Sequence, residues 1–381
     1  MCNAKCVIMK VHNPFIISGY ISPTFFCDRE KEHERIVSAV KNGRNITILS
    51  LRRIGKTGLI KHVFHHLAGN ENLRILYFDI MPTSCLSEFV REFAKSIIVE
   101  EQKRSGSYLK KITQLLSGIR GKLSFNQLTG APELEIDYRR AQESEKDIAW
   151  IFQYLAAQKE QIVIAIDEFQ QIVSYPEKNV EALLRAYCQQ LNNVSFIFSG
   201  SSKHLLSSMF SEYGRPFYQS SDILFLERIN KEQYADFIFQ HFKSNKRNIA
   251  KEWIDKVLEE YDCYTFYVQF FFNKLFATEI KEITPELITE ISQEILRERE
   301  GIYYNYKNLL TNNQFALLKA IAKEGKVLRP NSGEFIHKYR LTQPSSINRS
   351  LKSLLDKEMI YEERKAYRVY DLFFSKWLAQ L

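Results

Sequence analysis

The chain has 381 residues, 45% hydrophobic and 26% charged, enough for two or three domains that each bury a core. No run approaches the roughly 18 uninterrupted apolar residues of a membrane span, and the opening "MCNAKCVIMKVHNPF" lacks the apolar core and cleavage site of a secretory signal. A net charge of +8 permits contact with nucleic acid or an anionic surface without demanding it.

The six cysteines, Cys2, Cys6, Cys27, Cys85, Cys188 and Cys263, are scattered and form no C-x-x-C pair. In a chain of this size that spacing points to a reducing compartment, so a cytoplasmic protein is expected. No His or Cys cluster completes a zinc set beside Cys2 and Cys6.

Five short runs rich in β-branched residues come next: "ITILS" (46–50), "RILYFDI" (74–80), "IVIAIDEF" (162–169), "VSFIFSGS" (194–201) and "DILFLERI" (222–229). They are nearly continuously apolar, as strands buried on both faces of a parallel sheet are. Helical patterns between them give a βαβ rhythm, so a parallel five-stranded sheet sandwiched by helices is expected. Residues 101–147 interrupt it. "EEQKRSGSYLKK" is polar and is expected to loop out. "KLSFNQLTGAPELEIDYRR" alternates on both sides of Thr129-Gly130-Ala131-Pro132, the pattern of an inserted hairpin. From 231 to about 300 the pattern is wholly helical. The remainder is helices followed by "MIYEERKAYRVYD", a charged turn between two short strands.

The first run leads into "ITILSLRRIGKTGLIKHVF" (46–64), a strand, a loop and a helix. Main-chain N–H groups around Ile54, Gly55, Lys56 and Thr57 are expected to face a concavity at the helix N-terminus, where unsatisfied donors and the helix dipole favour an anion. Gly55 lets the main chain approach phosphates without a Cβ in the way. Lys56 reaches the β- and γ-phosphates, and the Thr57 hydroxyl suits Mg²⁺. Arg52, Arg53 and Gly58 complete the loop. The pattern G-x-x-x-x-G-K-[ST] opens on glycine, whereas this loop opens on Ser50. A chance Gly-Lys-Thr in a strand–helix turn is the alternative.

"QIVIAIDEFQQI" places Asp167 and Glu168 at the end of a hydrophobic strand. Ligands of open α/β sheets bind at the carboxyl ends of strands, so both acids are expected near the loop. Asp167 suits a metal contact, and Glu168 suits polarising an attacking water. Solvated acids at a strand end are the plainer reading. In "FIFSGSSKHLL", Ser199, Ser201 and Ser202 either sense the γ-phosphate or hold the water, or they cap the following helix. In "EYGRPFYQ", Arg215 either neutralises transition-state charge, in cis or on a neighbouring subunit, or is a surface arginine.

Taken together, "GYISPTFFCDREKEHERI", "SLRRIGKTGLI", "IVIAIDEFQQI", "FIFSGSS", "GRPFY" and the closing "VYDLFFSKWL" resemble the archaeal-type ATPase family, related to STAND NTPases and the AAA+ class. The resemblance spans nearly the whole chain. It implies an N-terminal linker over 1–28 lying on the nucleotide site, a P-loop core over 29–229, a helical lid over 230–305 and a winged helix over 306–381. It implies ATP with Mg²⁺, Lys56 and Thr57 as the Walker A pair and Asp167 and Glu168 as the Walker B pair. Ser199 to Ser201 then fall on a sensor strand and Arg215 in a Gly-Arg element. Phe26, Asp28 and Arg29 fall on the adenine side. Two departures stand out. Ser50-Leu51 replace the family's Gly-Pro opening, and "DCYTFYVQFFF" lacks the proline usual at the start of its lid helix.

In the C-terminal stretch, Ile347, Leu351, Leu354 and Leu355 make the core face of a helix. Ser345, Ser346, Asn348, Arg349, Lys352 and Ser353 make the opposite face, which suits major-groove entry, with Arg364 and Lys365 at the tip of a wing. Residues 311–381 carry 13 Lys+Arg against 7 Asp+Glu, a surplus that favours double-stranded DNA through counter-ion release. Winged helices also bind proteins. The expected partners are therefore ATP/ADP, duplex DNA or a protein at the winged helix, and a nucleotide-dependent oligomer, with no membrane.

Overall fold

The computed structural model describes residues 13–103, 108–119, 121–125, 132–136 and 141–381. They fall into two compact units, Ser18–Ile229 on one side of the division and residues 13–17 with Asn230–Leu381 on the other. Among the described residues no helix is long and apolar enough to cross a membrane.

The first unit runs α1 (Glu30–Lys41), β1 (Ile46–Leu49), α2 (Lys56–Leu67), β2 (Leu73–Asp79), α3 (Leu86–Lys103) and α4 (Tyr108–Gly118). The hairpin β3 (Gly121–Phe125) and β4 (Pro132–Ile136) follows, then α5 (Ala141–Ala156), β5 (Gln161–Asp167) and a 3₁₀ segment, Phe169–Ser174. The unit closes with α6 (Val180–Gln190), β6 (Val194–Gly200), α7 (Lys203–Ser211) and β7 (Asp222–Phe225). Its sheet is parallel throughout, in the order β2-β5-β6-β1-β7.

All five apolar runs of the sequence are strands of this sheet. The central β1 and β6 are buried along their whole length, and β5 from its second residue on, which is why their sequences show no alternation. The edge strands β2 and β7 are covered less completely, and β2 alternates in burial. The parallel register sets Leu49 beside Gly200 and Asp79 beside Asp167. The loop after β1, Asp167 and the end of β6 therefore share one rim. Beneath that rim Phe169 packs against Phe198 with ring centroids 4.6 Å apart and against Phe217 at 5.3 Å, which pins the chain just after Glu168.

The two ends of the polar stretch expected to loop out are helix instead: α3 continues to Lys103 and α4 begins at Tyr108, with 104–107 outside the described residues. That helical nature is hidden because Glu101 is a core residue, 2% exposed. Glu101 pairs with the buried Arg74 of β2 and accepts a bond from the Tyr154 hydroxyl at 3.2 Å. The expected hairpin is present as β3 and β4, paired from Gly121–Ile136 to Phe125–Pro132. Its tip, with Thr129, Gly130 and Ala131, lies outside the described residues.

The second unit contains α8 (Lys231–Ser244), α9 (Lys251–Glu260), α10 (Thr265–Ala277) and α11 (Pro285–Asn308). After them come α12 (Asn312–Glu324), α13 (Gly333–Tyr339), α14 (Pro344–Asp356), the hairpin β8 (Ile360–Glu363) and β9 (Ala366–Val369), and α15 (Leu372–Gln380). Three helices followed by a hairpin form the winged-helix arrangement. Without a proline, α10 is launched by two left-handed residues, Asp262 (φ 49) and Cys263 (φ 50). The expected lid and winged helix are joined tightly. The Tyr264 and Tyr361 hydroxyls meet at 2.8 Å, Arg368 pairs with Asp262 at 2.6 Å, and Tyr267 packs edge-on against Phe373 at 4.9 Å.

Residues 13–17 pack with α8 and α10, so the expected linker over 1–28 is divided. Phe15 is fully buried against Phe242, Phe272 and Phe276, the Asn13 amide donates to the Asn273 carbonyl at 2.8 Å, and the Asn273 amide donates to the Phe15 carbonyl at 2.7 Å. An apolar ring with that burial outweighs continuity with the residues that follow it. Residues 18–28 belong with the sheet.

Candidate functional site

The loop between β1 and α2 is shaped by two left-handed residues, Arg53 (φ 67) and Gly55 (φ 99). Gly55 is the N-cap of α2 and offers it no side-chain cap, so the first N–H donors of this helix face the loop's concavity. The helix begins at Lys56, earlier than the apolar pattern from Leu59 suggests. Ser50, where the usual pattern has glycine, keeps a negative φ and turns its hydroxyl onto the Leu51 carbonyl at 2.7 Å. No glycine is required there. Ile54 is buried, and Gly58 faces Phe26: a Cβ at Gly58 would lie 3.6 Å from the Phe26 ring.

Asp167, 3% exposed, sits in a cage of four donors. The Thr57 hydroxyl donates to its Oδ2 at 2.7 Å and the Tyr77 hydroxyl to the same oxygen at 3.0 Å. The Ser199 hydroxyl donates to Oδ1 at 2.6 Å, and the Glu168 N–H reaches it at 3.1 Å. Burial, with Asp167 alongside, pushes the Tyr77 phenol well above its ordinary value, so it stays a donor. Thr57 and Asp167 thus present two hard oxygens together at the loop, a donor set that fits Mg²⁺.

Glu168 stands at φ 56, a left-handed position that turns the chain off β5. Its Oε2 accepts the Gln170 side-chain amide at 2.6 Å, the Ser201 hydroxyl at 2.7 Å and the Ser201 N–H at 2.9 Å. Arg52 Nε holds the Ser201 oxygen in turn at 3.1 Å. Gly200 makes room: a Cβ there would fall 1.9 Å from Gln170 Oε1. Lys56 is buried, and burial lowers its pKa while Glu168 and Asp167 pull it back up. One ammonium, one hydroxyl and two carboxylates therefore converge where the helix amides point.

No serine side chain bonds to the start of α7. Ser202 is its N-cap without a side-chain bond, and Ser199 and Ser201 are spent on the two acids. Arg215 is ion-paired at 2.7 Å with Glu181 of α6. Arg29, 4% exposed, puts its guanidinium on the Glu227 carbonyl at 2.6 Å and on Glu32 at 3.1 Å, a clamp within the fold. Asp28 (φ 57) and Arg29 (φ 83) form the left-handed turn before α1, and Phe26 stacks on His62 at 4.2 Å. Two contributors escape sequence reasoning, Tyr77 and Gln170. Tyr77 reads as an ordinary strand aromatic, and only the pairing of β2 with β5 brings it to Asp167.

In the winged helix Ile347, Leu351 and Leu354 are buried, and Arg349 and Lys352 are exposed, with Ser346 half-buried. Arg364 (φ 51) and Lys365 (φ 65) form a two-residue hairpin turn with both φ positive, as type I′ requires, and both are exposed.

Residues 26–266, well over half of the chain, match the model of an ATPase domain predominantly from Archaea. The chain belongs to that ATPase family. Residues 301–380 of this archaeal-type ATPase match a probable winged helix domain. No curated protein sequence matches the chain. Among solved structures it is similar to a Walker-type ATPase of Pyrococcus abyssi, at 16% identity and TM-score 0.65 over 97% of this chain and 100% of that one. It is also similar to the Aeropyrum pernix ORC2 protein in ADPNP–ADP complexes, at 15% identity and TM-score 0.60 over 96% and 95% of the two chains. The Aeropyrum pernix ORC1 protein in complex with DNA follows at 12% identity and TM-score 0.50, over 94% and 93%. At such identities the likeness is one of fold.

Proposed function

We propose that this ATPase-family chain binds ATP at the β1–α2 loop, hydrolyses it slowly, and works as a nucleotide-dependent switch of the AAA+- and STAND-related kind. The observation that carries the reading is the convergence of Lys56, Thr57 and the acids on one rim, with the Thr57 hydroxyl 2.7 Å from Asp167. Loop amides from Ile54 to Thr57 receive the β-phosphate oxygens, and Lys56 sets its ammonium against the β- and γ-phosphates. Thr57 and Asp167 would hold Mg²⁺, which neutralises charge on the phosphate oxygens. Glu168 orients the attacking water and accepts its proton, and Ser199 keeps Asp167 aligned. Turnover is slow because Glu168 has to leave its bonds to Ser201 and Gln170 before it reaches the water. Phe26 lines the base side, and Arg215, released from Glu181, supplies positive charge late in the reaction. The nucleotide state is relayed to the unit in which four helices and the winged helix pack together.

The exposed Arg349, Lys352, Arg364 and Lys365 favour a second reading, in which nucleotide regulates binding to duplex DNA. ATP turnover measured at several protein concentrations, with and without Mg²⁺ and duplex DNA, tests both. The switch reading expects Mg²⁺-dependent phosphate release. The DNA reading expects duplex binding that weakens steeply with salt and falls in Arg349→Ala. No release under any condition would overturn the first, and salt-insensitive or absent DNA binding the second.

A further inference from the structure

Beside the loop helix lies a group of side chains that phosphate chemistry does not use. His62 and His66 stand one turn apart on α2, and His33 reaches them from α1. Their ring centroids are 4.7 to 5.4 Å from one another, and one ring nitrogen from each lies within 4.8 Å of the other two. Among the described residues His33 Nε2 is buried without a hydrogen-bond partner. A buried ring nitrogen left unbonded within a group of three imidazoles is an expensive arrangement for a plain packing cluster.

We propose that His33, His62 and His66 form a binding site for a divalent transition-metal ion of the zinc class, clamping α1 to the loop helix α2. Imidazole is the ligand type such ions favour, and three histidines leave a fourth tetrahedral position for water. Metal–nitrogen bonds of about 2.0–2.1 Å need ring nitrogens about 3.4 Å apart, a closure that imidazole rotation supplies. The supporting shell is present. The Tyr20 hydroxyl lies 3.0 Å from His62 Nδ1 and accepts its proton when the opposite nitrogen binds metal, fixing ring and tautomer. Phe26, stacked at 4.2 Å on the His62 ring, shields that side and links the cluster to Gly58 of the loop. Burial and the neighbouring imidazoles push His62 down to about 4, and burial, then His66, lowers His33. Both shifts run toward the neutral ring that metal ligation requires.

The test uses the untagged full chain, stripped with chelator and free of nucleotide, titrated with Co²⁺ and then with Zn²⁺. One equivalent of Co²⁺ should produce visible ligand-field bands of tetrahedral intensity that Zn²⁺ abolishes, and Zn²⁺ should raise the melting temperature. His66 is exposed, so His66→Ala should melt like wild type without metal yet lose the bands and the Zn²⁺ shift. Tyr20→Phe should retain the site at an affinity about 10- to 100-fold weaker. Undiminished bands in His66→Ala, thiolate-to-cobalt charge-transfer absorption, or no uptake at tens of micromolar metal would each overturn the assignment.

Discussion

Replacing Glu168 by glutamine removes a charge and changes no dimension of the side chain. The amide oxygen can still accept from Gln170, the Ser201 hydroxyl and the Ser201 N–H, the three bonds that hold Oε2 between 2.6 and 2.9 Å. Each changes from a charge-assisted to a neutral bond, a loss of about 1 kcal/mol. Glu168 is half-buried, so solvent screening reduces the sum to about 1–2 kcal/mol. That corresponds to a melting temperature lower by about 3–6 °C for a unit of this size. Thr57 and the loop amides are untouched and Asp167 still supports the Lys56 charge, so ATP affinity should stay within about threefold. Hydrolysis loses its proton acceptor, a fall of about 10²–10⁴ in rate. The assay is single-turnover phosphate release at saturating ATP and Mg²⁺, alongside a thermal melt. A variant that hydrolyses like wild type would refute the role given to Glu168. One that no longer binds ATP would refute the claim that Glu168 is held independently of the phosphate cradle.

Glu101→Ala should destabilise the sheet unit by about 3–5 kcal/mol in chemical denaturation, because among the described residues Arg74 keeps, while buried, the carboxylate of the half-exposed Glu160 alone, at 3.1 Å. Glu101→Leu with Arg74→Met should recover most of that loss. Ser201→Ala removes one of the three bonds on Glu168 and the anchor of Arg52, so phosphate release should rise several-fold; a fall would mean that Ser201 positions Glu168 and does not restrain it. ATP affinity should depend on pH through Lys56, whose amine is depressed by burial when the loop holds no phosphate. Below that depressed value the ammonium is present before binding and affinity is flat. As pH rises through it toward the ordinary lysine range, binding has to take up a proton, and affinity should fall by about tenfold per pH unit. An affinity that stays unchanged as pH rises into the ordinary lysine range would contradict this role for Lys56.

The sheet was readable because its central strands are apolar without interruption, and their carboxyl ends carry Gly-Lys-Thr and Asp-Glu at the rim where ligands of such sheets bind. Partnerships across long sequence separations were not. Nothing near Glu101 signals that Arg74, on a different element, turns a polar stretch into helix core. Phe15 reads as part of the N-terminal linker until Phe272 and Phe276 enclose it. The serine run was ambiguous because hydroxyls suit caps and acids equally, and the register of β6 beside β5 decides for the acids. The histidine pair of α2 is visible in "HVFHH", whereas the third ring arrives from α1 through helix packing.

The account rests on a triphosphate occupying the loop at the head of α2. Titration calorimetry of wild type and Lys56→Met with ATP and Mg²⁺ tests this most directly. Both carboxylates keep neutral donors without the lysine, Asp167 four and Glu168 three, so the variant should fold and give a clean baseline. The account predicts a one-to-one heat of association for wild type, lost in Lys56→Met. Silence from wild type at millimolar ATP, or equal heats from both proteins, would contradict it.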